Sequence, residues 1–529
     1  MHPSKLAVNS RTRLGFLVAI VLLVSFQAAY WSYTVDDAYI SYRYAENFAK
    51  GLGLVFNPGE RVEGYTNFLW TVLLAGVNKL GADTALASKL IGAIAGLVVL
   101  FLTARTARLF SGNGDRAAAI TAVFLLAATP SFALWSVAGL ETSFFGLLLL
   151  GGAVRFLHEL EHPEKRPLSA VLMVMCAMTR PEGVLLIALS SGFLAYRCWN
   201  AGRVSRMCII WILAVLGLGL PYFLWRLQYF GHVFPNTFYA KTGRGIYQIG
   251  GGVLYIASAV KNHVGWAFLL LAFVPAFSAK ASLQTRYLTG LLATWLAYNL
   301  YKGHDVLPLY RFIVPILPVW FALASVAFTG LVRQIQPQRN NRVFMGGVLS
   351  ALVVGTIGMN AVLLTLSRSN HPRLKEYQVQ LQLAGSYFMP MAERLRAIGP
   401  PESSIAVIDA GVIPYVTGWY TIDRWGLVDE HIAHMAGGGP LGEKFDEAYV
   451  LAKRPTFIQT HVTTSMERAG RIGVGWAGDA ELFSQEAFRR DYVRIDDPVL
   501  DSFFVRKDVA LRPLSGRSDN DSSVHLINK

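Results

Sequence analysis

Long apolar runs recur through the first 366 residues of this 529-residue chain and then stop. An apolar run of about 17–25 residues can cross the hydrocarbon core of a bilayer as a helix. We count about eleven runs, at about 14–33, 84–104, 117–137, 144–157, 167–179, 183–196, 207–228, 262–279, 287–301, 311–332 and 343–366. The sequence therefore predicts a mainly α-helical, polytopic membrane domain over residues 1–366 and a soluble domain over residues 367–529.

The net charge of +14 lies in the membrane part. Residues 367–529 hold 19 Lys and Arg against 21 Asp and Glu, whereas the first 366 residues hold 29 against 13. If the N-terminus is cytoplasmic, every predicted inner loop is basic, as the positive-inside rule requires. This distribution points to a membrane and excludes nucleic acid as the expected partner. An odd number of spans then places the soluble domain on the outer face, together with most of the acidic loop residues.

The soluble domain contains no cysteine, which excludes a disulfide framework there. Cys176, Cys198 and Cys208 all lie in or beside apolar runs, and their spacing is not that of metal ligands. At the N-terminus, basic residues precede an apolar core that extends to about Tyr33 without a clear cleavage site. That pattern favours an uncleaved anchor over a signal peptide.

The stretch from Asp36 to Asn67 directly follows the first apolar run and begins with two adjacent carboxylates, Asp36 and Asp37. One interpretation is a solvated loop start whose acids cap the next helix. The other is a general base, because a partly desolvated carboxylate beside a second one has its pKa raised toward a range suited to accepting a hydroxyl proton. We favour the second interpretation and predict that residues 34–83 form a catalytic outer loop.

Four basic residues, Arg180, Lys241, Lys302 and Arg311, map to the same predicted outer rim. Scattered cations at a membrane edge can simply anchor the spans. Cations that converge would instead hold a lipid phosphate and stabilise its charge as it leaves. A sugar on a polyprenyl phosphate has a leaving group that needs no proton donor. One base and a cationic clamp would then suffice for direct displacement with inversion.

The soluble part alternates strand-like and helix-like segments after an amphipathic stretch at about 374–398. The strand-like segments are SSIAVIDAG, YTIDRWGLVDEHIA, RPTFIQTHV and the late pair YVRIDDPVLDSFFVRKD. They predict a small α/β domain. Its acidic residues Asp409, Asp423 and Asp429 could bind donor or acceptor sugar, although ordinary strand-end aspartates explain them equally well.

Several strings occur together and in order, and their joint occurrence is specific. They are DDAYISYRYAENFAKGLGLVFNPGERVEGYTNFLW, TRPEG, PNTFYAK, RFIVP and IDAGVIPYVTGWYTIDRWGLVDEHIA. Over residues of about 30–430 the chain resembles the mycobacterial terminal arabinofuranosyltransferases and their bacterial relatives, which are type C glycosyltransferases that use polyprenyl-phosphate sugars. The tail looks shorter than in the mycobacterial enzymes, which leaves the acceptor open.

The resemblance implies a donor of the decaprenyl-phosphoryl-arabinose type, an acceptor on the outer face of a bacterial inner membrane, and a periplasmic C-terminal domain. It implies Asp36 as the base, with Asp37 as its partner or a sugar contact. The residues that would line the cavity are Glu63, Tyr65, Arg180, Asn236, Tyr239, Lys241 and Arg311. We add as candidate substrate contacts Tyr39, Arg43, Glu141, Glu182, His304, Asp305, Asp409, Asp423 and Asp429. We expect no required cofactor, and the sequence places no further metal ligand beside the acidic pair.

The predicted function is therefore inverting transfer of arabinofuranose from a polyprenyl phosphate to an acceptor glycan, glycolipid or protein. The same chemistry with mannose or another hexose is the nearest alternative. A transporter or flippase of lipid-linked sugars is the alternative from another class, and such proteins often show inverted repeats and charges near the middle of their spans. No repeat is evident here and the charges collect at one rim.

Overall fold

A computed structural model of the chain describes residues 10–110, 116–241, 246–263, 265–278, 281–305, 307, 309–335, 355, 358, 387–437, 444–468, 470 and 476–512. Helices predominate in it. Their bounds are α1 Ser10–Ala29, α2 Asp36–Ala49, α3 Phe68–Lys79, α4 Thr84–Phe110, α5 Arg116–Ala127, α6 Pro130–Trp135, α7 Thr142–Glu161, α8 Leu168–Thr179, α9 Val184–Asn200, α10 Arg206–Phe230, α11 Asn236–Lys241, α12 Ile246–His263, α13 Gly265–Phe273, α14 Leu283–Lys302, α15 Leu317–Ile335, α16 Met389–Ile398, α17 Val412–Thr417, α18 Glu430–His434, α19 Glu447–Ala452, α20 Thr464–Arg468, α21 Ala477–Ser484 and α22 Glu486–Asp491. Short 3-10 turns follow at Pro181–Gly183, Val274–Phe277 and Val314–Ile316.

The chain divides into two units. The first consists of residues 1–33, 86–224 and 245–381, and the second of residues 34–85, 225–244 and 382–529. The predicted catalytic loop, 34–83, thus belongs to the same unit as the C-terminal domain. The predicted domain boundary at 366/367 lies outside the described residues, as does the predicted apolar run at 343–366.

The first unit is a helical membrane part. Within the described ranges, four helices are long and apolar enough to cross a bilayer: Thr84–Phe110, Thr142–Glu161, Arg206–Phe230 and Val314–Gln334. A fifth candidate is the pair Gln248–His263 and Gly265–Phe277, which is bent by 101°. Other predicted runs form shorter apolar helices, so the count of eleven spans stays a prediction.

Prolines explain two of the breaks between apolar helices, one inside the predicted run at 117–137 and one between the predicted runs at 167–179 and 183–196. Pro130 occupies the first turn of α6, where a missing N–H is tolerated, and the residue before it, Thr129, is extended with φ −78° and ψ 118°. Pro181 forces Arg180 into the same region, with φ −153° and ψ 136°, which ends α8 before α9 begins. The break at Pro181 places a charged residue between two apolar helices.

The second unit is built on a five-stranded sheet with strands β1 Ser404–Val407, β2 Tyr420–Asp423, β3 Phe457–Gln459, β4 Tyr492–Arg494 and β5 Phe503–Arg506. The strand order is β2-β1-β3-β5-β4. β1 is parallel to β2 and β3, whereas β5 is antiparallel to β3 and β4. The predicted small α/β domain with a late strand pair is therefore confirmed.

Apolar side chains from strands and helices form the core beside this sheet. Ala406, Ile422 and Ile458 from the three parallel strands are buried against Leu482 of α21 and Phe488 of α22. The carboxyl ends of parallel strands open on one edge of a sheet, which is where α/β folds place ligands. The segments that follow β1, β2 and β3 at this edge carry polar side chains.

Candidate active site

The predicted site residues divide between the two units. Those in the first unit are Glu141, Arg180, Glu182, His304, Asp305 and Arg311, and those in the second are Asp36, Asp37, Tyr39, Arg43, Glu63, Tyr65, Asn236, Tyr239, Lys241, Asp409, Asp423 and Asp429. The residues of each unit are described separately below.

Asp36 begins α2, but its carboxylate does not cap that helix, whose N-cap residue is Val35. Instead it accepts hydrogen bonds from the N–H groups of Gly411 (3.1 Å) and Val412 (2.8 Å), at the start of α17. A Cβ at Gly411 would collide with the backbone oxygen and carboxylate of Asp36, so only glycine permits this approach. The partly exposed Asp36 thus binds the segment that follows β1.

Opposing effects act on the Asp36 carboxyl group. The two backbone N–H donors favour its charged form. Burial, followed by the negative charge of Asp409, opposes ionisation and raises the pKa of Asp36 well above its usual value. A carboxyl group with a raised pKa is suited to general base catalysis.

Arg43 lies two turns further along α2 and is buried. Its guanidinium donates to the backbone oxygens of Phe56 (2.9 Å), Pro414 (2.5 Å) and Trp419 (2.7 Å). Its remaining donor contacts are to the side chains of Asn57 and Thr421. These contacts attach the first loop to the C-terminal segment. Tyr39 packs edge to face with Tyr415 of α17 at 5.3 Å between ring centroids.

The segment around Glu63 is fixed by a second arginine. Arg226 pairs with the Glu63 carboxylate through two nitrogens, of which Nε is 2.8 Å from Oε1. Burial raises the pKa of Glu63 to about 7, although the Arg226 contacts act in the opposite direction. Tyr65 is buried against Tyr44, with 4.7 Å between the ring centroids. No local sequence pattern indicates Arg226, which lies 163 positions from its partner.

The PNTFYAK motif forms α11 and contacts the C-terminal segment through Asn236. The Asn236 amide donates to the backbone oxygens of Gly426 (2.9 Å), Leu427 (3.1 Å) and Asp429 (3.1 Å). Tyr239 stacks near His434 with 4.2 Å between ring centroids, and Lys241 is the exposed last residue of the helix.

Two predicted aspartates of the soluble domain are engaged in local structure. Asp423 is fully buried and accepts from the N–H groups of Trp425 and Val428, both at 2.9 Å. Burial raises the pKa of Asp423 to about 7. Asp429 caps α18 through the N–H of Ile432 at 3.1 Å.

Asp409 contacts two side chains at the carboxyl edge of the sheet. Its Oδ2 is 3.1 Å from Gln459 Nε2 and 3.8 Å from His461 Nε2. Gln459 is the last residue of β3, and His461 lies two residues after it. Neither was predicted as a site residue from the sequence. The parallel pairing of β1 and β3 would have indicated them, because it places both strand ends at one edge.

In the first unit, three cations surround the ring of Phe312. The Lys302 ammonium lies 3.1 Å from the ring centroid, the Arg180 guanidinium 4.4 Å and that of Arg311 4.9 Å.

Three acidic side chains accompany these cations. Asp305 pairs with Arg311 through two contacts of 3.1 and 3.2 Å, Glu182 lies 2.7 Å from Arg180, and Glu141 lies 3.7 Å from Arg180. His304 is exposed.

Two donors in this cluster are unsatisfied. Among the residues that the structure describes, neither Arg180 Nη1 nor Lys302 Nζ has a hydrogen-bond partner, although both atoms are buried. Buried donors without a partner are costly and often mark a ligand site. The backbone beside them is also strained, since Leu309 and Tyr310 have φ values of 60° and 56°. Among the described residues, no group of three or more His, Cys, Asp and Glu side chains is arranged to hold a metal ion.

Comparison with solved structures gives the class of fold. The chain resembles ArnT from Cupriavidus metallidurans bound to undecaprenyl phosphate, with a TM-score of 0.56 and 14% identity over 87% of this chain and 95% of that one. It also resembles the archaeal oligosaccharyltransferase AglB from Archaeoglobus fulgidus in complex with an inhibitory peptide and a dolichol-phosphate, with a TM-score of 0.56 and 12% identity over 94% and 74% of the two chains. The fold is that of the type C membrane glycosyltransferases, and the chain is a multi-pass membrane protein.

Sequence comparison confirms the particular resemblance. The terminal beta-(1->2)-arabinofuranosyltransferase of Mycobacterium tuberculosis is 28% identical over 273 residues, which are 48% of this chain. The match spans 42% of the mycobacterial protein, less than half its length. Residues 371–514 match a domain of unknown function (DUF8728).

Proposed function

We propose that the chain transfers a sugar, with arabinofuranose as the first candidate, from a polyprenyl phosphate to an acceptor hydroxyl. The acceptor is a glycan, glycolipid or protein on the outer face of a bacterial inner membrane. The fold supports a glycosyltransferase, and the mycobacterial relative supports the choice of sugar.

The observation that carries the proposal is the pair of donors on Arg180 and Lys302, beside Phe312, that have no hydrogen-bond partner among the described residues. A phosphate brings several acceptor oxygens and negative charge, and charge-assisted hydrogen bonds to it are strong. It would satisfy both donors and add anionic charge to a cluster in which three cations accompany three acids. The ring of Phe312 holds the cations close together without competing for their protons.

As the general base we propose Asp36, from its place in the sequence and its raised pKa. Its carboxylate removes the proton from the acceptor hydroxyl while the acceptor oxygen bonds to the anomeric carbon. The bond from that carbon to the phosphate oxygen breaks, and its electrons leave with the phosphate. The cations stabilise the charge that develops there, so the displacement inverts the anomeric configuration in one step.

The direct test uses the full chain purified in detergent with a panel of synthetic prenyl phosphosugars, including arabinofuranosyl and mannosyl donors, and hydroxyl acceptors. We expect a glycoside with inverted anomeric configuration and free prenyl phosphate, with the fastest turnover on the arabinofuranosyl donor. Turnover only on a hexosyl donor would keep the chemistry and replace the sugar. Movement of labelled lipid-linked sugar across vesicles without any glycosidic product would replace the proposal with transport.

A further inference from the structure

The edge of the sheet beside Asp36 carries a second acidic group that the proposed reaction does not yet use. Asp409 follows β1, and its Oδ2 lies 3.1 Å from Gln459 Nε2 and 3.8 Å from His461 Nε2. Gln459 is buried, and its Oε1 also accepts from the N–H groups of Ile408 (3.0 Å) and Asp409 (3.3 Å). The glutamine therefore fixes both the backbone and the carboxylate of Asp409 and turns the latter toward the imidazole.

The same segment holds the proposed base. Gly411 and Val412, two and three residues after Asp409, donate their N–H groups to the Asp36 carboxylate. Two carboxylates are thus bound to one short segment, and the charge on Asp409 disfavours ionisation of Asp36. A base that works near neutral pH needs something to offset this repulsion.

His461 is placed to do so. Its side chain is 37% exposed, so it can exchange protons with solvent. Burial by itself lowers the pKa of His461, but the contact and charge of Asp409 and the charge of Asp479 outweigh it, and the net pKa lies above the usual value. The protonated imidazole therefore persists toward neutral pH.

Resting on the proposed function, we propose that Asp409 and His461 form a positioning dyad that keeps Asp36 ionised for proton abstraction. When His461 is protonated, its positive charge balances the negative charge of the Asp409 carboxylate. Asp36 then experiences little repulsion from Asp409 and is more readily ionised. When His461 loses its proton, the repulsion between the two carboxylates is restored and Asp36 is less often ionised. The dyad makes turnover depend on pH through a group outside the reacting atoms.

Other charged and titratable groups also act on these three residues and do not change between the variants below. Asp479 and Arg424 act on His461, Asp37 and Tyr39 act on Asp36, and Tyr387 faces Asp409.

The test is the pH profile of kcat for sugar transfer by the full chain in detergent. For His461→Asn we expect the acidic limb to move to higher pH by about 0.5 unit or more, because Asp409 is no longer balanced. For Asp409→Asn we expect the acidic limb to move to lower pH, because the repulsion between the two carboxylates is removed.

His461→Lys, which retains a cation, should keep the acidic limb near that of the unaltered chain. Ser465→Ala, at an exposed position nearby, serves as the matched control.

Opposite displacements for His461→Asn and Asp409→Asn support the dyad. Loss of rate without displacement, or displacement in the same direction for both variants, overturns it, because a merely structural role would change the rate and not the direction of the limb. If His461→Asn or Asp409→Asn turns over too slowly for a pH profile, His461→Lys is the deciding variant. An acidic limb near that of the unaltered chain supports the dyad. An acidic limb at higher pH, despite the retained cation, overturns it. Absence of transfer by the unaltered chain would instead refute the proposed function.

Discussion

At the scale of single residues, Asp36 illustrates what a sequence can and cannot reveal. Its type and its place at the end of an apolar run predict an acidic group near the membrane surface. Its actual partners, Gly411 and Val412, lie 375 and 376 positions away. No local pattern encodes contacts at that separation. The same holds for Glu63 and Arg226, whereas the strand-end position of Asp409 was visible in the sequence.

A first prediction concerns Lys302, whose ammonium is buried without a hydrogen-bond partner among the described residues. Lys302→Gln removes the charge that would bind the donor phosphate. Since a hydrogen bond to a charged group contributes about 1.5–3 kcal/mol, affinity for a prenyl phosphate should fall about 10- to 100-fold. Titration with a fluorescent prenyl phosphate measures this. Lys261→Gln, at an exposed position, is the control, and equal affinities for the two variants would remove Lys302 from the phosphate site.

A second prediction concerns the buried Asp423, whose pKa is raised to about 7 by burial. The unfolded chain releases this proton near pH 4, whereas the folded chain retains it up to about pH 7. This group therefore favours the folded state at low pH, and its contribution is lost as pH rises from about 4 to 7. Asp423→Asn should flatten that part of the stability profile, by at most about 4 kcal/mol.

Thermal unfolding of the full chain in detergent between pH 4 and 7 measures the slope for Asp423→Asn. The control is Asp508→Asn, whose carboxylate is exposed and whose pKa is lowered by the hydrogen bond from Arg506. An unchanged slope in Asp423→Asn would show that this carboxyl group is ionised throughout.

At the scale of elements, the sequence predicted the segments better than their ends. The amphipathic piece after Asp37 is α2, and the late strand pair is β4 and β5. Breaks within apolar runs were harder to predict, because proline permits a helix start, as at Pro130, as readily as it ends one. Which short apolar helices cross a bilayer depends on neighbours that hydropathy does not describe.

A third prediction tests how α2 is attached to the C-terminal segment. Arg43→Met leaves the buried backbone oxygens of Pro414 and Trp419 without their donor. The free energy of unfolding should fall by about 3 kcal/mol, since each orphaned buried group costs about 1–3 kcal/mol. Arg61→Met, which loses an exposed contact with the Tyr229 ring, should cost at most about 1 kcal/mol. Chemical denaturation in detergent compares the two, and equal stability would mean that the Arg43 contacts contribute nothing net.

At the scale of the whole molecule, charge distribution predicted the arrangement across the membrane. Basic loops alternate with acidic ones along the first 366 residues, which predicts that the C-terminal domain lies on the outer face.

A fourth prediction tests this topology in a variant without Cys176, Cys198 and Cys208. Ser484→Cys, exposed in the C-terminal domain, should react with a membrane-impermeant maleimide in intact cells with a permeabilised outer membrane. Ala201→Cys, exposed in a predicted inner loop, should react only after lysis. The reverse pattern would invert the topology and place the proposed chemistry in the cytoplasm.

The most direct measurement is transfer by Asp36→Asn compared with the unaltered chain, with prenyl phosphate binding measured on the same samples. The account predicts that donor affinity is retained and that kcat falls at least about 100-fold, because a general base contributes about 10²–10⁴-fold. Turnover at the unaltered rate by a variant that binds donor normally would contradict the assignment of Asp36 as the base.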